Sequence, residues 1–529
     1  MEALLSRLTM VLLALLFLTH GAVRQQQSPQ EPCKEGDSSC LLMRGLQVYD
    51  PYLTDTDSFE FDPNTPAYER FERILGRATD RNLGWGAGLM RIAKGDGTLV
   101  WEGAYDGGPP GRNANPPPVT RKHPYEIASI SKMLTAATVF TYVDEGKINL
   151  SDKIMDLVPN ETRVPPNLHQ INGTNYTDQI TVEMLLNHKS GLPDYWNSPD
   201  FNKTFLADIN RRWEPEEVIP FVAKMEAHYV PHTGEDEPYF AKYDQYAVYY
   251  SDTNYVLLGF LLEELEGKPL ADVYKVRLYE PLNMTSTWLR YREKPRSSLP
   301  ILNRYWSKPA IHGNEQIDMS THKRQTAEWG GGGLVSTTED LVKVLRGIFE
   351  SRRPGPGGLY KNNETVQRFF GPDAFHMHVD YDVKEGQWDN VYSSGIFAVK
   401  FDDEDMGEIL GHEGFGSSFA YWWPPVKTSD GRQVGGYHLV GTLNQLEQLP
   451  DVKNDFWWFY VVYEIVEQLV DPAVQEKLAV EMKELPKYLE ERQKVAQRPA
   501  KRGAAAGVRP SFALLLGVVH LALGLFLLS

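Results

Sequence analysis

The sequence predicts an α+β fold: an antiparallel β-sheet flanked by helices, with a large and mostly α-helical insertion. Strand patterns occur near both ends of the chain, in residues 86–107 and again between residues 394 and 443. Helical periodicity prevails between them, most clearly in residues 251–267. Because strands that are distant in sequence can pair, we expect the N- and C-terminal segments to build one sheet.

The N-terminal half begins with regular patterns. Residues 65–80 carry apolar side chains at the spacing of an amphipathic helix, and in residues 86–107 two strand-like runs flank Gly95-Asp96-Gly97, which predicts a hairpin. A helix follows Ser129 and ends near Gly146. Residues from about 150 to 325 are expected to form a helical subdomain interrupted by loops rich in Pro, Asn and aromatic residues.

The C-terminal half returns to strands. A helix is predicted from Ser336, strands over 394–401, 407–415, 417–425 and 435–443, and a buried helix over 454–470, which is apolar nearly all round. We therefore assign residues 66–475 to one domain.

Composition narrows the function classes. The chain has 529 residues, 42% of them hydrophobic, so it can bury a large core. Its formal net charge is −17 and it has no basic tract, which argues against nucleic-acid binding. No motif predicts a cofactor, and oligomeric state cannot be inferred from the pattern.

The two ends carry targeting signals. Residues 1–22 combine Arg7, an apolar run and small residues at Gly21 and Ala22, which is typical of a secretory signal peptide. Residues 508–529 end in an apolar tail and predict a GPI-attachment signal or, alternatively, a membrane-spanning tail. We interpret 23–65 as an N-terminal extension and 476–507 as a stalk.

Export is consistent with further features. Cys33 and Cys40 are expected to form a disulfide that closes one small loop in an oxidising compartment. The predicted location is the secretory pathway and the extracellular face of the plasma membrane. Seven Asn-x-Ser/Thr sequons could carry glycans: Asn149, Asn160, Asn172, Asn175, Asn202, Asn283 and Asn363.

The first chemical feature is Ser129-Ile-Ser-Lys132. A serine hydroxyl needs a neighbouring base to attack a carbonyl, and a lysine three positions later lies on the same helix face. Ser320-Thr-His-Lys323 has the same spacing, but it lies in a polar loop without a helical pattern. A Ser-x-x-Lys spacing by itself is more often a coincidence than a catalytic pair.

Two later features could complete a site. Tyr250-Ser-Asp252 stands at a helix start and can project a phenol into a cleft, although Tyr250 could equally be a core residue in this aromatic-rich region. His412-Glu-Gly414 lies on a predicted strand, where the glycine permits close backbone approach; the simpler interpretation is a hairpin with a structural histidine.

The succession of these three features resembles the serine β-lactamase and penicillin-binding-protein family, in particular its class C β-lactamase, DD-peptidase and esterase branch. The resemblance covers roughly residues 66–445 and implies a helix-covered antiparallel sheet joined to an all-α domain, with the active site between them. Connecting phrases also match: LLNHKSGLPDY (185–195), YSDTNYVLLG (250–259) and GGGGLVSTTEDL (330–341).

The resemblance implies a role for each residue. Ser129 would be the acylated nucleophile, Lys132 would activate it, and Tyr250 would pass a proton to the leaving group. The backbone N–H groups of Ser129 and Phe415 would form the oxyanion hole, and His412 and Gly414 would line the substrate strand. The implied partner is a small-molecule or peptide-like acyl substrate.

Two departures affect the expected substrate. Asp252 stands where the family usually has Asn, so we expect it to pair with Lys132, keep it protonated and shift the base role toward Tyr250. His412 stands where many members have Lys, which removes a fixed positive charge. Both changes favour an ester, lactone or neutral amide over classical β-lactams and peptide C-termini.

Other interpretations remain open. The chain could be a non-catalytic surface protein that retains the fold of the penicillin-binding proteins. Metal-dependent hydrolysis would rest on His376, His378 and Asp380, without an evident third well-spaced ligand, and we expect no metal site. The Gly-x-Ser-x-Gly elbow of α/β-hydrolases is missing.

Overall fold

The structure is a computed structural model, and it describes a defined part of the chain. The described residues are 61, 64–80, 87–106, 119–231, 249–307, 316–349, 358–370, 378–379, 390–401, 403–443, 445–447 and 457–485. Those from Asn64 onward belong to one compact unit.

The helices and strands are numbered in chain order. The helices are α1 (Ala67–Asp80), α2 (Ile130–Asp144), α3 (Ile154–Leu157), α4 (Val182–Leu186), α5 (Pro199–Ala207), α6 (Ile219–Val222), α7 (Asp252–Glu266), α8 (Leu270–Tyr274), α9 (Arg324–Glu328), α10 (Thr338–Phe349), α11 (Asn363–Phe370), α12 (Trp457–Val470) and α13 (Pro472–Glu481). The strands are β1 (Ala87–Lys94), β2 (Leu99–Asp106), β3 (Tyr125–Glu126), β4 (Gln170–Ile171), β5 (Thr174–Asn175), β6 (Trp288–Leu289), β7 (Tyr305–Ser307), β8 (Gln316–Asp318), β9 (Leu334–Ser336), β10 (His378–Val379), β11 (Asn390–Ser393), β12 (Ile396–Lys400), β13 (Glu408–Gly414), β14 (Ser418–Trp423), β15 (Val426–Lys427), β16 (Gln433–Val434), β17 (Tyr437–Thr442) and β18 (Gln445–Glu447).

The main sheet joins the two ends of the chain, which confirms the predicted α+β fold. Its eight strands follow the order β10-β11-β12-β13-β14-β17-β1-β2, and each pairing is antiparallel. In the seam between the ends, Leu89 of β1 lies opposite Thr442 of β17. The β1–β2 hairpin turns at Gly97, whose φ of +84° lies in the region that favours glycine.

The two faces of the sheet carry separate layers of helices because side chains alternate along a strand. Leu89 and Ala93 of β1 join the hydrophobic core that contains α2, α7 and α10. Ile92 points the other way and lies opposite Trp101, which packs against Phe71 of α1 with ring centroids 5.6 Å apart.

The insertion between β2 and β10 holds helices α2–α11 and small accessory sheets. One of these, β3-β9-β6, joins the strand before Ser129 to the strand after the glycine run 330–333. The helix predicted from Ser336 begins two residues later, because Ser336 remains in β9, where its hydroxyl lies 2.8 Å from that of Thr287.

Several predictions concern segments that the structure does not describe. The signal peptide (1–22), nearly all of the extension (23–65), the possible disulfide of Cys33 with Cys40, and the C-terminal tail (508–529) lie outside the described residues. Among the helices that are described, none has the length and apolar character needed to span a bilayer.

Candidate active site

Ser129 occupies the start of α2, directly after a residue with an unusual backbone. Ala128 has φ +45°, a conformation that costs energy for a residue with a side chain, and Ser129 is the N-cap residue of α2. The flanking residues 123–128 and Ile130 are buried, whereas Ser129 is half-buried. The turn therefore presents this serine at the surface of a buried segment.

Lys132 lies one helical turn further on, and its side chain is fully buried. Its Nζ lies 3.1 Å from Ser129 Oγ, 2.9 Å from the Gly331 carbonyl oxygen and 2.5 Å from Asp252 Oδ1. The ammonium group thus donates hydrogen bonds to Ser129 and Gly331 and forms an ion pair with Asp252. The predicted pairing of Lys132 with Asp252 is present in the structure.

The Gly331 carbonyl is brought there by the glycine run that follows α9. Gly330 must be a glycine, since an added Cβ would lie 2.8 Å from the carbonyl oxygen of Tyr255 in α7. The neighbouring Gly330 carbonyl accepts a hydrogen bond of 2.6 Å from Thr135 of α2. The glycine run thus contacts both α2 and α7, and it directs the Gly331 carbonyl at Lys132.

Tyr250 lies just before α7, and its ring centroid lies 4.8 Å from Lys132 Nζ, the atom that contacts Ser129. Burial, followed by the charge of Asp252, raises its pKa well above the ordinary value, so the phenol is neutral. The neighbouring Ser129 hydroxyl acts in the opposite direction and lowers the pKa of Tyr250. The predicted base role therefore cannot rest on a preformed phenolate, because burial and Asp252 both oppose that charge.

A second carboxyl group lies beside Asp252. Asp194 accepts a hydrogen bond of 3.0 Å from the backbone N–H group of Trp196. Burial and then the charge of Asp252 raise the pKa of Asp194. The Lys132 end of the site thus holds two carboxyl groups and one ammonium group.

His412 lies on β13 and carries no charge at neutral pH. Burial, followed by the charge of Lys132, lowers the pKa of His412 to about 3. Its Nδ1 lies 2.5 Å from the Glu413 carbonyl oxygen, and its ring centroid lies 6.3 Å from that of Tyr250. As the sequence suggested, this position offers an imidazole and no fixed cation.

Gly414 allows β13 to approach the segment before the serine. An added Cβ would lie 2.3 Å from the Ile127 carbonyl oxygen and 2.3 Å from Ser418 Oγ. Phe415 follows in the turn between β13 and β14. Within the described residues, the backbone N–H groups of Ser129 and Phe415 donate to no recorded partner. Both are available to a ligand, as an oxyanion hole requires.

His188, which the sequence did not single out, packs against Tyr250. The Nδ1 atom of His188 lies 3.1 Å from the Ser251 backbone nitrogen and 2.9 Å from Asn254 Nδ2, and the ring centroid lies 4.4 Å from that of Tyr250. Burial, followed by the charge of Lys132, lowers the pKa of His188 well below its ordinary value. The phrase LLNHKSGLPDY contained the signal, because it holds both His188 and Asp194.

Ser320, the serine of the second Ser-x-x-Lys sequence, has a different environment from Ser129. Ser320 Oγ accepts a 3.0 Å hydrogen bond from the Arg304 backbone in a turn before α9. His376 and Asp380 of the metal interpretation lie outside the described residues, and among those described no cluster of His, Cys, Asp and Glu could hold a metal. Of the sequon asparagines, Asn202 is half-buried and the other six are exposed.

Comparison with known proteins identifies the family. The β-lactamase family model matches residues 86–429. The unguisins hydrolase of Aspergillus campestris is 24% identical over 444 residues, which cover 78% of this chain and 71% of that protein. A putative D-alanyl-D-alanine carboxypeptidase of Escherichia coli K12 is 24% identical over 350 residues, 60% of this chain and 72% of that one.

The fold is also shared with a solved structure. The D-amino acid amidase of Ochrobactrum anthropi SV3 superimposes with a TM-score of 0.55 at 19% identity, covering 78% of this chain and 99% of the amidase. At that identity the likeness concerns the fold. Together with the match over residues 86–429, it leads to one conclusion: the chain belongs to the β-lactamase family of serine hydrolases.

Proposed function

We propose that the protein cleaves esters, lactones or neutral amides through an acyl-enzyme on Ser129. The observation that carries this proposal is the position of Lys132 Nζ, which lies 3.1 Å from the Ser129 hydroxyl oxygen and 4.8 Å from the ring centroid of Tyr250. A serine hydroxyl needs a group that accepts its proton, and a nearby positive charge stabilises the charge that develops on its oxygen.

The proton route follows from the neutral phenol. Ser129 Oγ bonds to the carbonyl carbon and passes its proton to Tyr250 Oη. Tyr250 gives its own phenolic proton to the leaving atom as the bond between that atom and the carbonyl carbon breaks. Lys132 keeps its charge throughout, held by Asp252 at 2.5 Å, and stabilises the electron density on Ser129 Oγ.

The acyl-enzyme is then resolved by water or by another acceptor. Water bonds to the acyl carbon, its proton returns through Tyr250 to Ser129 Oγ, and a carboxylic acid leaves. During both steps the carbonyl oxygen accepts from the backbone N–H groups of Ser129 and Phe415. Ser129 stands at the start of the 15-residue helix α2, so the helix dipole adds to this stabilisation.

The substrate class follows from the charges around Tyr250. Asp252 places a carboxylate beside the nucleophile and already pairs with Lys132, and His412 is neutral, so a substrate carboxylate on this side finds no cation free to bind it. A neutral leaving group fits better. The relatives described above are likewise named as a hydrolase and a carboxypeptidase, which is consistent with hydrolysis of an acyl bond.

The test is covalent labelling followed by turnover. A fluorophosphonate probe should label the wild type and Ser320→Ala equally, because Ser320 has the same Ser-x-x-Lys spacing but lies in a turn. Ser129→Ala should lose the label and also lose turnover of a chromogenic ester, lactone and D-amino-acid amide. If the wild type is neither labelled nor active, the chain is a non-catalytic protein that retains the fold.

The proposal includes a location. The chain is exported and displayed at the cell surface through a GPI anchor or a membrane tail, and its partner there is an acyl substrate. The N- and C-terminal signals and the exposure of six of the seven sequon asparagines support this. Endoglycosidase treatment should shift its mobility, and release from cells by phosphatidylinositol-specific phospholipase C distinguishes the anchor from the tail.

A further inference from the structure

Arg324 lies between two segments that border the active site. Its guanidinium carbon lies 4.2 Å from the ring centroid of Phe415 and 4.6 Å from that of Trp196. Phe415 carries one of the proposed oxyanion donors, and Trp196 belongs to the turn capped by Asp194. The stack of Trp196, Arg324 and Phe415 thus joins the oxyanion turn to the loop beside Asp252.

The terminal nitrogens of Arg324 are available for a ligand. Its Nε donates to Glu328 Oε1 at 2.5 Å, and one-fifth (20%) of the side chain is exposed. Nη1 and Nη2 make no hydrogen bond with the described residues. Neither atom is fully buried, so both reach solvent. The two rings fix the guanidinium plane, which leaves a rigid fork of N–H donors beside Phe415.

Electrostatics keeps this group charged. Burial opposes the charge, but the carboxylates of Glu328 and Asp252 outweigh it and raise the pKa of Arg324 above the ordinary value. Lys132, by contrast, is bound to Asp252, and His412 is neutral. Neither Lys132 nor His412 can hold a substrate anion, whereas Arg324 retains the planar donors that match a carboxylate.

We propose that Arg324 determines substrate specificity, and that this site prefers acyl groups that carry a carboxylate bound to the guanidinium between Trp196 and Phe415. The inference rests on the proposed Ser129 acyl-enzyme. Tyr250 delivers its proton to the leaving group, so the side of the nucleophile that faces Phe415 and Arg324 receives the acyl part. The carboxylate therefore belongs to the acyl chain and not to the leaving group.

The experiment compares matched substrates. The p-nitrophenyl half-esters of glutaric and adipic acid are paired with p-nitrophenyl valerate and hexanoate, in which a methyl group replaces the carboxylate. Rates with Ser129→Ala are subtracted as background. The wild type should show a higher kcat/KM for each half-ester than for its neutral counterpart.

The variants separate binding from structure. Arg324→Gln should lower kcat/KM for the half-esters about 10- to 100-fold, as expected for a lost hydrogen-bonded charge pair, and change the neutral esters less than about threefold. Arg324→Lys keeps the charge without the fork and should lie between. Arg211→Gln is the matched control, because Arg211 also stacks on an aromatic ring, with its guanidinium carbon 4.1 Å from the Trp213 ring centroid, and pairs with Glu217.

Each outcome has one meaning. Equal losses on half-esters and neutral esters would show a structural role and overturn the specificity proposal, as would unchanged rates in Arg324→Gln. A wild type that hydrolyses the neutral esters through Ser129 but does not prefer the half-esters overturns this inference alone. Absence of any Ser129-dependent turnover overturns the proposed function and the inference with it.

Discussion

Glu413 provides a quantitative test of the electrostatics of β13. Its carboxyl accepts a 2.5 Å hydrogen bond from the Tyr421 hydroxyl, and burial raises its pKa from 4.5 to about 7. We predict that Glu413→Gln stabilises the protein above neutral pH and leaves it unchanged in mild acid. Gln has the same shape and can still accept from Tyr421, so the change removes the titration and little else.

The sign follows from the two states. Below pH 4.5 both the folded and the unfolded chain keep the Glu413 proton. Between pH 4.5 and about 7 the unfolded chain releases it while the folded chain holds it, so the free energy of unfolding falls as the pH rises. Above about pH 7 the loss of folding stability caused by Glu413 reaches its full value.

The magnitude comes from the same interval. At about 1.4 kcal/mol per pH unit, the interval from 4.5 to about 7 sets an upper bound of about 3 kcal/mol on the penalty. Glu413 is only half-buried, and solvent screening reduces the expected value to about 1–2 kcal/mol. This is the amount by which Glu413→Gln should exceed the wild type in stability near pH 8.

The assay is urea denaturation of both proteins at a series of pH values from about 5 to 8. His412 is present in both, so its own pH dependence cancels in the difference. Glu408→Gln is the control, because Glu408 is an exposed glutamate at the start of the same strand. A difference between wild type and Glu413→Gln that stays constant or shrinks as the pH rises would refute the reasoning.

Three further predictions concern the site itself. Asp252→Asn leaves the fully buried Lys132 without its anion, so it should lower the free energy of unfolding, measured by urea denaturation, by about 3–5 kcal/mol. Because an amide can also donate hydrogen bonds, the same change should raise the turnover of a cephalosporin relative to that of a neutral ester. Gly414→Ala places a methyl group 2.3 Å from the Ile127 carbonyl, so it should cost about 1–3 kcal/mol of stability and slow fluorophosphonate labelling at least about tenfold. His412→Gln should leave the pH profile of ester kcat/KM unchanged between about pH 5 and 8, because the imidazole is already neutral there.

Control substitutions and contradicting results can be stated for these predictions. Asp178→Asn, an exposed aspartate, should leave both stability and cephalosporin turnover unchanged. Gly76→Ala in α1 introduces a methyl group at an ordinary 3.4 Å from the Tyr105 ring and should not destabilise. Unchanged stability and substrate range in Asp252→Asn would contradict the role given to Asp252. Normal labelling of Gly414→Ala would contradict the close approach at Gly414. Loss of a pH-dependent step in His412→Gln would contradict a neutral imidazole at that position.

Local patterns predicted the elements well because each depends on neighbouring residues. The predicted helix after Ser129 is α2, and the predicted strands over 407–415 and 435–443 are β13 at Glu408–Gly414 and β17 at Tyr437–Thr442. The 394–401 prediction began two residues early, since Ser394 and Gly395 form the β11–β12 turn, with φ +47° and +80°. A tight turn beside an apolar strand leaves only a weak signal in the periodicity.

The sequence alone determined which helix presents Ser129 and Lys132 on one face, since a spacing of three residues places them one turn apart. The tertiary structure decided what holds them. Gly331, which supplies a carbonyl to Lys132, is 199 residues away, and the contact depends on how the turn Trp329–Gly331 packs against α2 and α7. Likewise, only packing brings Arg324 between Trp196 and Phe415. Helical spacing is set by hydrogen bonds within a few residues, whereas these contacts arise from the register and packing of distant segments.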